Sequence, residues 1–435
     1  MRPAGRLSHS PQGSGSPQFF EEVQGSARVD APRRYPWRSP VTPLHIFWIA
    51  SAAGWLLVVL AARLRRNRFF AIFAGVLVGV HTLIACGLAR HVGPLFPAFA
   101  AFQATVYLNY FFLSRPKMRP FVYRLFLTFP SAFFGASTLL AMPWAIVAAF
   151  GFTPHGLWIP YVLGFAGLVE SLTMRPEVVD LVVDRAHVEG LVRHAHGTPR
   201  EGRPLRFVQI TDPHLGPFMP VARLKAICQR AVDQAPDLVL LTGDFLTMES
   251  QQTAEHLAEA LEPLKALQGK VFACHGNHDH EAPAFVASAL KRTGVKLLVD
   301  DATLVETEAG PVQIVGMDFH FSGRKEKMAK VCEEHPRIPG ALRLVLLHDP
   351  GAFRHLPVGE GDLVLAGHTH GGQLGLLRLG IQSTIIRLFS EIPDHGLWAR
   401  GPDRLYVHRG TGHYGFPLRL GVPAEESLVR VHLPS

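Results

Sequence analysis

The chain has 435 residues, a formal net charge of +8 and 48% hydrophobic residues, and this length predicts at least two structural units. The positive charge does not indicate nucleic-acid binding, because many arginines stand between long apolar runs, where membrane topology explains them. The four cysteines lie far apart and form no Cys-x-x-Cys pair, which argues against a thiolate zinc site and against a disulfide framework.

Residues 1–42 are rich in Pro, Gly, Ser and Arg and show no apolar periodicity. Such a segment buries too little apolar surface to offset the entropy of ordering, so we predict a disordered tail. We do not interpret it as a secretory signal, because the first apolar run begins too late and no small-residue cleavage site follows that run.

Five apolar runs follow the tail. They cover residues 44–62, 69–89, 94–114, 125–150 and 157–174. About 20 helical residues cross the hydrocarbon core of a bilayer, so the first four runs qualify as spans. The fifth has only 18 residues and contains Pro160 and Glu170, so it either crosses the bilayer or lies beneath the soluble part. We predict a helical membrane domain of about five spans over residues 43–175.

Basic residues in the connections between these runs predict the orientation. The first connection contains Arg63, Arg65, Arg66 and Arg68, the third contains Arg115, Lys117, Arg119 and Arg124, and the second contains only Arg90. Strongly basic connections stay in the cytoplasm, so we expect the first and third to face it. Five spans then leave the C-terminal half of the chain in the cytoplasm, whereas four would place it outside.

Short β-rich runs alternate with helical stretches from about residue 178 onward. The runs are RFVQI, DLVLLTG, KVFACHG, VQIVGM, LRLVLLH, DLVLAG, RLYVHR and LVRVHL. Residues 221–234 and 251–268 have the apolar spacing of helices. We predict a connector with a first strand over residues 176–202, and an α/β sandwich with helix-covered sheets over residues 203–435.

Five of these runs end in polar residues of one chemical kind. The endings are Asp212-Pro213-His214, Gly243-Asp244, Gly276-Asn277-His278-Asp279, His348-Asp349 and Gly367-His368-Thr369-His370. Carboxylates, amide oxygens and imidazoles bind divalent metals of borderline hardness, and open α/β sheets place ligands at strand ends. In Asp212-x-His214 and His368-x-His370, a locally extended backbone can point both side chains to one side, so that both converge on one ion.

The ordered set Asp-x-His, Gly-Asp, Gly-Asn-His-Asp, His and Gly-His-Thr-His-Gly-Gly-Gln resembles the calcineurin-like metallophosphoesterases. The resemblance extends over residues 206–433, and residues 419–425 (RLGVPAE) are typical of membrane-associated bacterial members with N-terminal transmembrane helices. It implies a four-layer α/β/β/α sandwich after the membrane domain and a place in the bacterial inner membrane, and the basic connections predict that the catalytic domain lies in the cytoplasm.

The resemblance also implies a site for two divalent metal ions, with manganese, iron and zinc all open. Asp212, His214 and His370 would hold the first ion, Asn277, His348 and His368 the second, and Asp244 would bridge both. Such a pair of ions activates a water as hydroxide and stabilises charge on the attacking and leaving oxygens. His278 is the candidate for protonating the leaving oxygen, with Asp279 orienting its other ring nitrogen.

We therefore expect a membrane-anchored hydrolase of a phosphate ester or a pyrophosphate. A substrate at the bilayer surface fits the anchor, and family analogy makes a lipid-linked pyrophosphate one open class beside phosphoproteins and nucleotide phosphodiesters. The competing hypothesis is a membrane sensor, transporter or scaffold whose C-terminal domain only binds a partner.

One further motif raises the question of a dinucleotide cofactor. The stretch GTGHYG at residues 410–415 matches Gly-x-Gly-x-x-Gly after a strand, which indicates dinucleotide binding only if a helix follows. Pro417, Gly421 and Pro423 oppose a helix there. We interpret the stretch as a glycine-rich loop near the cleft and predict no dinucleotide site. We assign no role to His408, which precedes the stretch, or to His413, which lies within it.

Overall fold

The first part of the chain folds into apolar helices. The computed structural model describes residues 42–198, 202–251, 254–413 and 415–433, so the predicted disordered tail lies outside the described residues apart from Thr42. The helices are α1 (Pro43–Arg65), α2 (Arg68–Leu88), α3 (Phe96–Leu113), α4 (Phe121–Tyr123), α5 (Phe129–Leu140), α6 (Met142–Ala149) and α7 (Ile159–Leu172). A π-helical turn, Arg124–Thr128, joins α4 to α5.

The length and composition of these helices bear on the number of spans. Two helices, Pro43–Arg65 and Arg68–His91, are long and apolar enough to cross a membrane, and the pair Phe121–Leu140 and Met142–Ala149 makes a third if it counts as one span despite its 53° bend. A proline in the first turn of α6 accounts for the break, since proline cannot continue the preceding helix. Five spans remain a prediction.

The outer surface of the bundle carries large apolar side chains. Leu64, Phe69 and Leu83 are 74%, 87% and 74% exposed. An apolar surface of this extent is costly in water and matches the hydrocarbon of a bilayer. The helices therefore present a surface suited to lipid.

The remaining chain forms two sheets. The strands are β1 (Met174–Val182), β2 (Val188–Arg193), β3 (Leu205–Ile210), β4 (Leu238–Leu241), β5 (Val271–Ala273), β6 (Lys296–Leu297), β7 (Asp301–Thr307), β8 (Gly310–Gly316), β9 (Leu342–Leu346), β10 (Leu363–Ala366), β11 (Gly396–Gly401), β12 (Asp403–Val407) and β13 (Ala424–His432). One sheet has the order β1-β13-β3-β4-β5-β6 and the other β2-β11-β12-β10-β9-β8-β7. Each sheet thus takes an edge strand, β1 or β2, from the stretch expected to act mainly as a connector.

Five more helices accompany the sheets. They are α8 (Val221–Asp233), α9 (Ala254–Leu261), α10 (Pro283–Arg292), α11 (Arg324–Glu334) and α12 (Ile385–Phe389). The helix predicted over 251–268 is α-helical only as far as Leu261 and continues as a 3₁₀ turn, Glu262–Leu267, because Pro263 cannot donate a helical hydrogen bond.

The core consists of separate apolar clusters on the faces of the sheets. Phe207 and Leu240 of the first sheet share a fully buried cluster with Leu344 and Leu365 of the second. The helices α8, α9 and α10 pack in a cluster with other residues of the first sheet, and α11 packs with the second. Near-continuous apolar runs in β4, β9 and β10 follow from this burial on both faces.

Parallel pairing brings the polar motifs together. The strands β3, β4 and β5 are parallel neighbours in one sheet, and β9 and β10 are parallel neighbours in the other. The carboxyl ends of parallel strands meet at one edge, and each of these five strands is followed by one of the predicted motifs. The fold therefore gathers residues that lie far apart in the chain.

Candidate active site

Two buried carboxylates form the centre of the site. Asp212 follows β3 and is 0% exposed, and Asp244 follows β4 and is 2% exposed. The Asp212 carboxylate accepts the main-chain N–H of His368 at 2.9 Å, and the Asp244 carboxylate accepts that of His278 at 2.9 Å. A buried carboxylate needs such partners, and among the described residues neither acid forms an ion pair with a lysine or an arginine.

Four histidines surround these acids, and their rings face one another in pairs. His214 Nε2 lies 3.2 Å from His370 Nε2, and His348 Nε2 lies 3.2 Å from His368 Nδ1. Asp212 Oδ1 lies 3.3 Å from His370 Nε2, and Asp244 Oδ2 lies 3.2 Å from His348 Nε2. The donor atoms fall into two groups, Asp212 with His214 and His370, and Asp244 with His348 and His368, each within 4.8 Å.

Hydrogen bonds on the far side of two rings set the tautomer. His348 Nδ1 lies 2.6 Å from the carbonyl oxygen of Thr242, and His214 Nδ1 lies 3.4 Å from that of Leu246. A carbonyl only accepts, so the proton of each neutral ring sits on Nδ1 and the Nε2 lone pair is directed at the acids. Metal-binding histidines are commonly oriented in this way.

Asn277 supplies an unsatisfied oxygen at the same place. It stands between Gly276 and His278, both of which approach the Asp244 carboxylate. Its Oδ1 atom is buried and has no hydrogen-bond partner among the described residues. A buried amide oxygen without a partner is costly, and a cation beside Asp244 would satisfy it.

The backbone conformation of the site is unusual, and it differs from the locally extended conformation predicted for the Asp-x-His and His-x-His motifs. Asp212, His214, His368 and His370 have φ values of 52°, 46°, 65° and 51°, and Asp244 has 57°. The two Asp-x-His and His-x-His segments are therefore not locally extended, although their side chains do converge. Left-handed backbone at a non-glycine residue costs of order 1–3 kcal/mol and is concentrated at functional sites.

Two glycines allow the main chain to reach the acids. A Cβ atom on Gly276 would lie 2.2 Å from Asp244 Oδ1, and one on Gly367 would lie 2.2 Å from Asp212 Oδ2. Any other residue would displace the carboxylates, which explains glycine at both positions.

The histidines and acids set one another's ionisation. Burial raises the pKa of the Asp212 carboxyl, but His370 and His348 outweigh it and hold that pKa well below its usual value. Burial lowers the pKa of His214 to about 3. Burial also disfavours charge on His348, but Asp244 and Asp212 raise its pKa to about 10. The cluster thus combines two ionised acids with imidazoles of very different basicity.

The predicted partner of His278 was wrong. His278 Nδ1 lies 2.8 Å from Glu281 Oε1, one helical turn further on. Asp279 instead accepts main-chain N–H groups from Asp244, Phe245 and Gly276 at 2.8–2.9 Å. Burial, with a further contribution from Asp244, raises the pKa of Asp279 to about 6. Asp279 therefore holds the loops that carry Asp244 and Asn277, and Glu281 orients the His278 ring.

Sequence reasoning also missed Arg419. Its side chain is fully buried and donates to the carbonyl oxygens of Gly412 at 2.5 Å and Arg409 at 2.8 Å, and it lies 3.4 Å from His370 Nδ1. It thereby ties the glycine-rich loop to a residue of the central cluster. The quoted 419–425 stretch contained this arginine, but nothing in its spacing pointed to His370.

The glycine-rich loop itself behaves as predicted in the residues that the structure describes. The main-chain N–H of Gly412 donates to the carbonyl oxygen of Asp212 at 3.0 Å. No helix follows among residues 415–423, where the chain makes turns and an isolated bridge at Leu420. The loop lines the site and lacks the helix that a dinucleotide motif requires.

A third group of possible ligands lies beside the first two. His275 Nδ1 and His280 Nε2 lie 3.0 Å and 3.1 Å from the same oxygen of Asp318. His280 had no predicted role, and His275 directly precedes the Gly-Asn-His-Asp motif. Only the fold brings Asp318, from the loop after β8, to these histidines.

The donors present fit divalent metal ions. Each of the two central groups combines a carboxylate with two imidazoles, and the orphaned amide oxygen of Asn277 adds another donor beside the second group. This mixture of oxygen and nitrogen donors suits manganese, iron and zinc. Six of the seven residues predicted as ligands thus have donor atoms in these two groups, and Asn277 lies between two residues whose main chain contacts Asp244.

Comparisons with known proteins agree with this chemistry. The model of the calcineurin-like phosphoesterase family matches residues 205–372. The phosphodiesterase YaeI of Escherichia coli is 30% identical over 252 residues, covering 55% of this chain and 87% of the relative. The UDP-2,3-diacylglucosamine pyrophosphatase LpxG of Chlamydia trachomatis is 29% identical and covers 54% of this chain and 84% of the relative.

A vertebrate protein is similar as well. The transmembrane protein with metallophosphoesterase domain of Danio rerio is 30% identical over 290 residues, covering 63% of this chain and 61% of that protein. The family match lies across the strands β3 to β10 and includes every residue of the central cluster. The chain belongs to the calcineurin-like metallophosphoesterase family.

Proposed function

We propose that this hydrolase of phosphoester bonds is a membrane-anchored enzyme with a dinuclear metal centre that cleaves a phosphodiester or a pyrophosphate. The observation that carries the proposal is the pair of buried donor groups around Asp212 and Asp244, with the orphaned Asn277 oxygen beside them. Packing alone does not account for an amide oxygen left unsatisfied next to two acids.

The residues divide between the two ions by proximity. Asp212, His214 and His370 would hold one ion, and His348 and His368 the other. The family resemblance adds Asn277 to the second ion. Asp244 would be shared, since its Oδ2 atom lies 3.7 Å from His214 Nε2 and 3.2 Å from His348 Nε2, one histidine of each group. When bound, the two cations would neutralise charge on the phosphoryl oxygens and make a water nucleophilic near neutral pH.

His278 is suited to assist the leaving group. Its ring centroid lies 5.6 Å from that of His214, so it borders the cluster without belonging to either donor group. Glu281 accepts from Nδ1 and thereby fixes the ring. We propose that His278 donates a proton or a hydrogen bond to the leaving oxygen, and that Glu281 positions it.

Contacts between the two parts of the chain support the predicted orientation. Arg66, in the first basic connection, donates to Gln251 Oε1 at 2.5 Å, and Arg124, in the third, donates to the carbonyl oxygen of Pro217 at 2.9 Å. The phosphoesterase domain therefore contacts the helix ends that carry the basic connections. If those connections are cytoplasmic, so is the domain.

The course of the helices supports five membrane-embedded segments. The domain contacts Arg66 near the end of α1, and it contacts Leu172 at the end of α7 through Arg223 at 3.2 Å. If α1 crosses the bilayer, its start and the end of α7 lie on opposite sides, so the chain crosses an odd number of times between them. With 14 residues, α7 extends only about 21 Å, so its segment would cross a thinned or locally covered part of the bilayer.

The substrate class is proposed from the relatives and the anchor together. The names of two relatives specify a phosphodiesterase and a pyrophosphatase of a diacylated sugar nucleotide. A cleft held against apolar helices gives access to a substrate at the bilayer surface. We place a lipid-linked diester or pyrophosphate first among the open classes.

Metal content and turnover of one soluble substrate test the proposal. Full-length protein purified in detergent should contain about two transition-metal ions per chain. It should hydrolyse bis(p-nitrophenyl) phosphate, lose that activity on treatment with a chelator and regain it on addition of manganese. Folded protein that binds no metal and has no turnover would favour the competing role as a sensor, transporter or scaffold.

A further inference from the structure

A cavity between the helices and the phosphoesterase domain reaches the metal-ligand cluster. The helices contribute Phe73 of α2, Tyr110 of α3 and Ala132 of α5, and the domain contributes Phe218, Met248 and Phe416. His214, one of the central histidines, and His413 of the glycine-rich loop also line it. One end of a mostly apolar cavity thus meets the cluster.

The cavity continues towards the third basic connection. A neighbouring cavity shares Asn109, Thr128 and Glu249 with the first and is also lined by Arg115, Lys117 and Arg119. Basic side chains beside apolar helices lie where the phosphate groups of a bilayer would be. The two adjoining cavities together extend from the third basic connection to His214, and we refer to them as the path.

The walls of this path are packed parts of the fold. The rings of Phe129 and Phe218 lie 5.1 Å apart across the boundary between helices and domain. A Cβ atom on Gly135 would lie 2.6 Å from the Phe416 ring, so α5 and the glycine-rich loop are in close contact. A path with such walls is built into the chain and is not a gap between loosely joined parts.

One acid in the wall needs an explanation. Glu249 accepts a hydrogen bond from Thr247 Oγ1 at 2.9 Å, and burial raises the pKa of its carboxyl. A carboxyl that is less readily ionised is compatible with a lining of phenylalanine and methionine side chains.

We propose that this cavity binds the hydrocarbon chain of the substrate while the phosphoryl group lies at the metal-ligand cluster. The inference rests on the proposed function and deepens it, because it makes a single long chain next to the scissile phosphate a determinant of specificity. The apolar lining, the continuity with His214 and the basic entrance at the membrane surface each fit a phosphorylated lipid and do not fit a phosphopeptide or a free nucleotide.

Two esters with one leaving group test the proposal. Dodecyl p-nitrophenyl phosphate and ethyl p-nitrophenyl phosphate share the scissile bond and differ only in the chain. We expect full-length protein in detergent to have a kcat/KM for the dodecyl ester about 100-fold above that for the ethyl ester, because burial of the longer chain is favourable and the cost of ordering it offsets only part of that gain. A ratio of one or less would overturn the proposal.

Two variants test whether the hydrocarbon chain of the substrate occupies this cavity. Ala132→Phe fills the cavity from α5 and should lower the dodecyl-to-ethyl ratio about tenfold or more. Ala101→Phe, on an exposed position of α3 outside the cavity, is the matched control and should keep the wild-type ratio. Equal ratios in the two variants would contradict the assignment to this cavity.

A labelling experiment decides the case even if A132F does not fold. Dodecyl phosphate with a diazirine at the chain end should crosslink the wild-type protein at peptides that contain Phe73, Met248 or Phe416. Crosslinks confined to the outer face of α1 and α2 would overturn the cavity proposal. Failure to hydrolyse either ester would instead count against the proposed function, and the crosslinks would still report on the cavity.

Discussion

Two neighbouring groups of histidines and carboxylates in this protein differ in what satisfies them. In the central cluster, ring nitrogens face ring nitrogens at 3.2 Å, and the acids at the centre are 0% and 2% exposed. In the group of His275, His280 and Asp318, both histidines face one carboxylate oxygen at 3.0–3.1 Å, and the side chains of His280 and Asp318 are 27% and 17% exposed.

The difference indicates which group needs a metal ion. Two imidazole nitrogens within 3.1 Å of one Asp318 oxygen can both donate to it, so hydrogen bonds satisfy this carboxylate, although the buried Nε2 atom of His275 has no partner among the described residues. In the central cluster, a bound cation would satisfy the buried acids, the ring nitrogens that lie 3.2 Å apart and the orphaned Asn277 oxygen together. Residue types alone therefore do not identify a metal site. Their mutual arrangement and their burial do.

Removing the shared acid should have the largest effect. Asp244→Asn keeps the shape but removes the charge between the two donor groups, so we expect a loss of kcat on the order of 10³-fold, equivalent to several kcal/mol, and of at least one ion per chain. Turnover of bis(p-nitrophenyl) phosphate and metal analysis of the purified variant measure both. Wild-type activity in this variant would show that the central cluster is not the dinuclear site.

Removing the orphaned amide should have the next largest effect. Asn277→Ala deletes one donor, and we expect about a 100-fold loss of kcat with weaker binding of the second ion, measured by metal titration. Asn277→Asp supplies an oxygen at the same place and is the matched control, with a smaller loss. Equal behaviour of the two variants would mean that the oxygen of Asn277 binds nothing.

Separating Glu281 from His278 should have a moderate effect. Glu281→Gln weakens the hydrogen bond that orients the ring, and we expect about a tenfold lower kcat with an unchanged metal content. The loss should shrink when the substrate carries a better leaving group, because less assistance is then needed. A loss that is the same for all leaving groups would assign Glu281 a structural role.

The smallest effect is expected in the third group and gives the sharpest test of the comparison. Asp318→Asn keeps one acceptor for the histidines, so we expect the metal content to stay at about two ions per chain and kcat to change by no more than a few-fold. Loss of an ion in this variant, together with a third ion in the wild type, would show that the two groups do not differ as proposed.

The central donors were predictable because their positions follow from strand order. Asp212, Asp244, Asn277 and His348 each come directly after a short apolar run that ends in a turn, and parallel strands end at the same edge. The predicted backbone was less successful. Alternation along an extended strand was the simplest route to convergence, and local spacing gave no indication of left-handed φ values at Asp212 and His370.

The partners of the central residues were less accessible to sequence reasoning. The adjacent acid, Asp279, was the obvious candidate to orient His278, yet a helical turn places Glu281 there and directs Asp279 to main-chain N–H groups. Spacing of three residues on a helical turn contained the signal. For Arg419 and His370, 49 residues apart, no local spacing could contain it.

The sequence by itself determined which chemistry is available, because strand-terminal acids, imidazoles and an amide oxygen define a divalent-metal donor set wherever they gather, and because apolar runs bounded by basic residues define helices suited to a bilayer. Tertiary structure alone decided which ring nitrogens face one another, which acid orients His278, and that the helices and the domain enclose a cavity lined in part by His214. Those features depend on how side chains from elements far apart in the sequence are oriented towards one another. Local sequence does not encode that relative orientation.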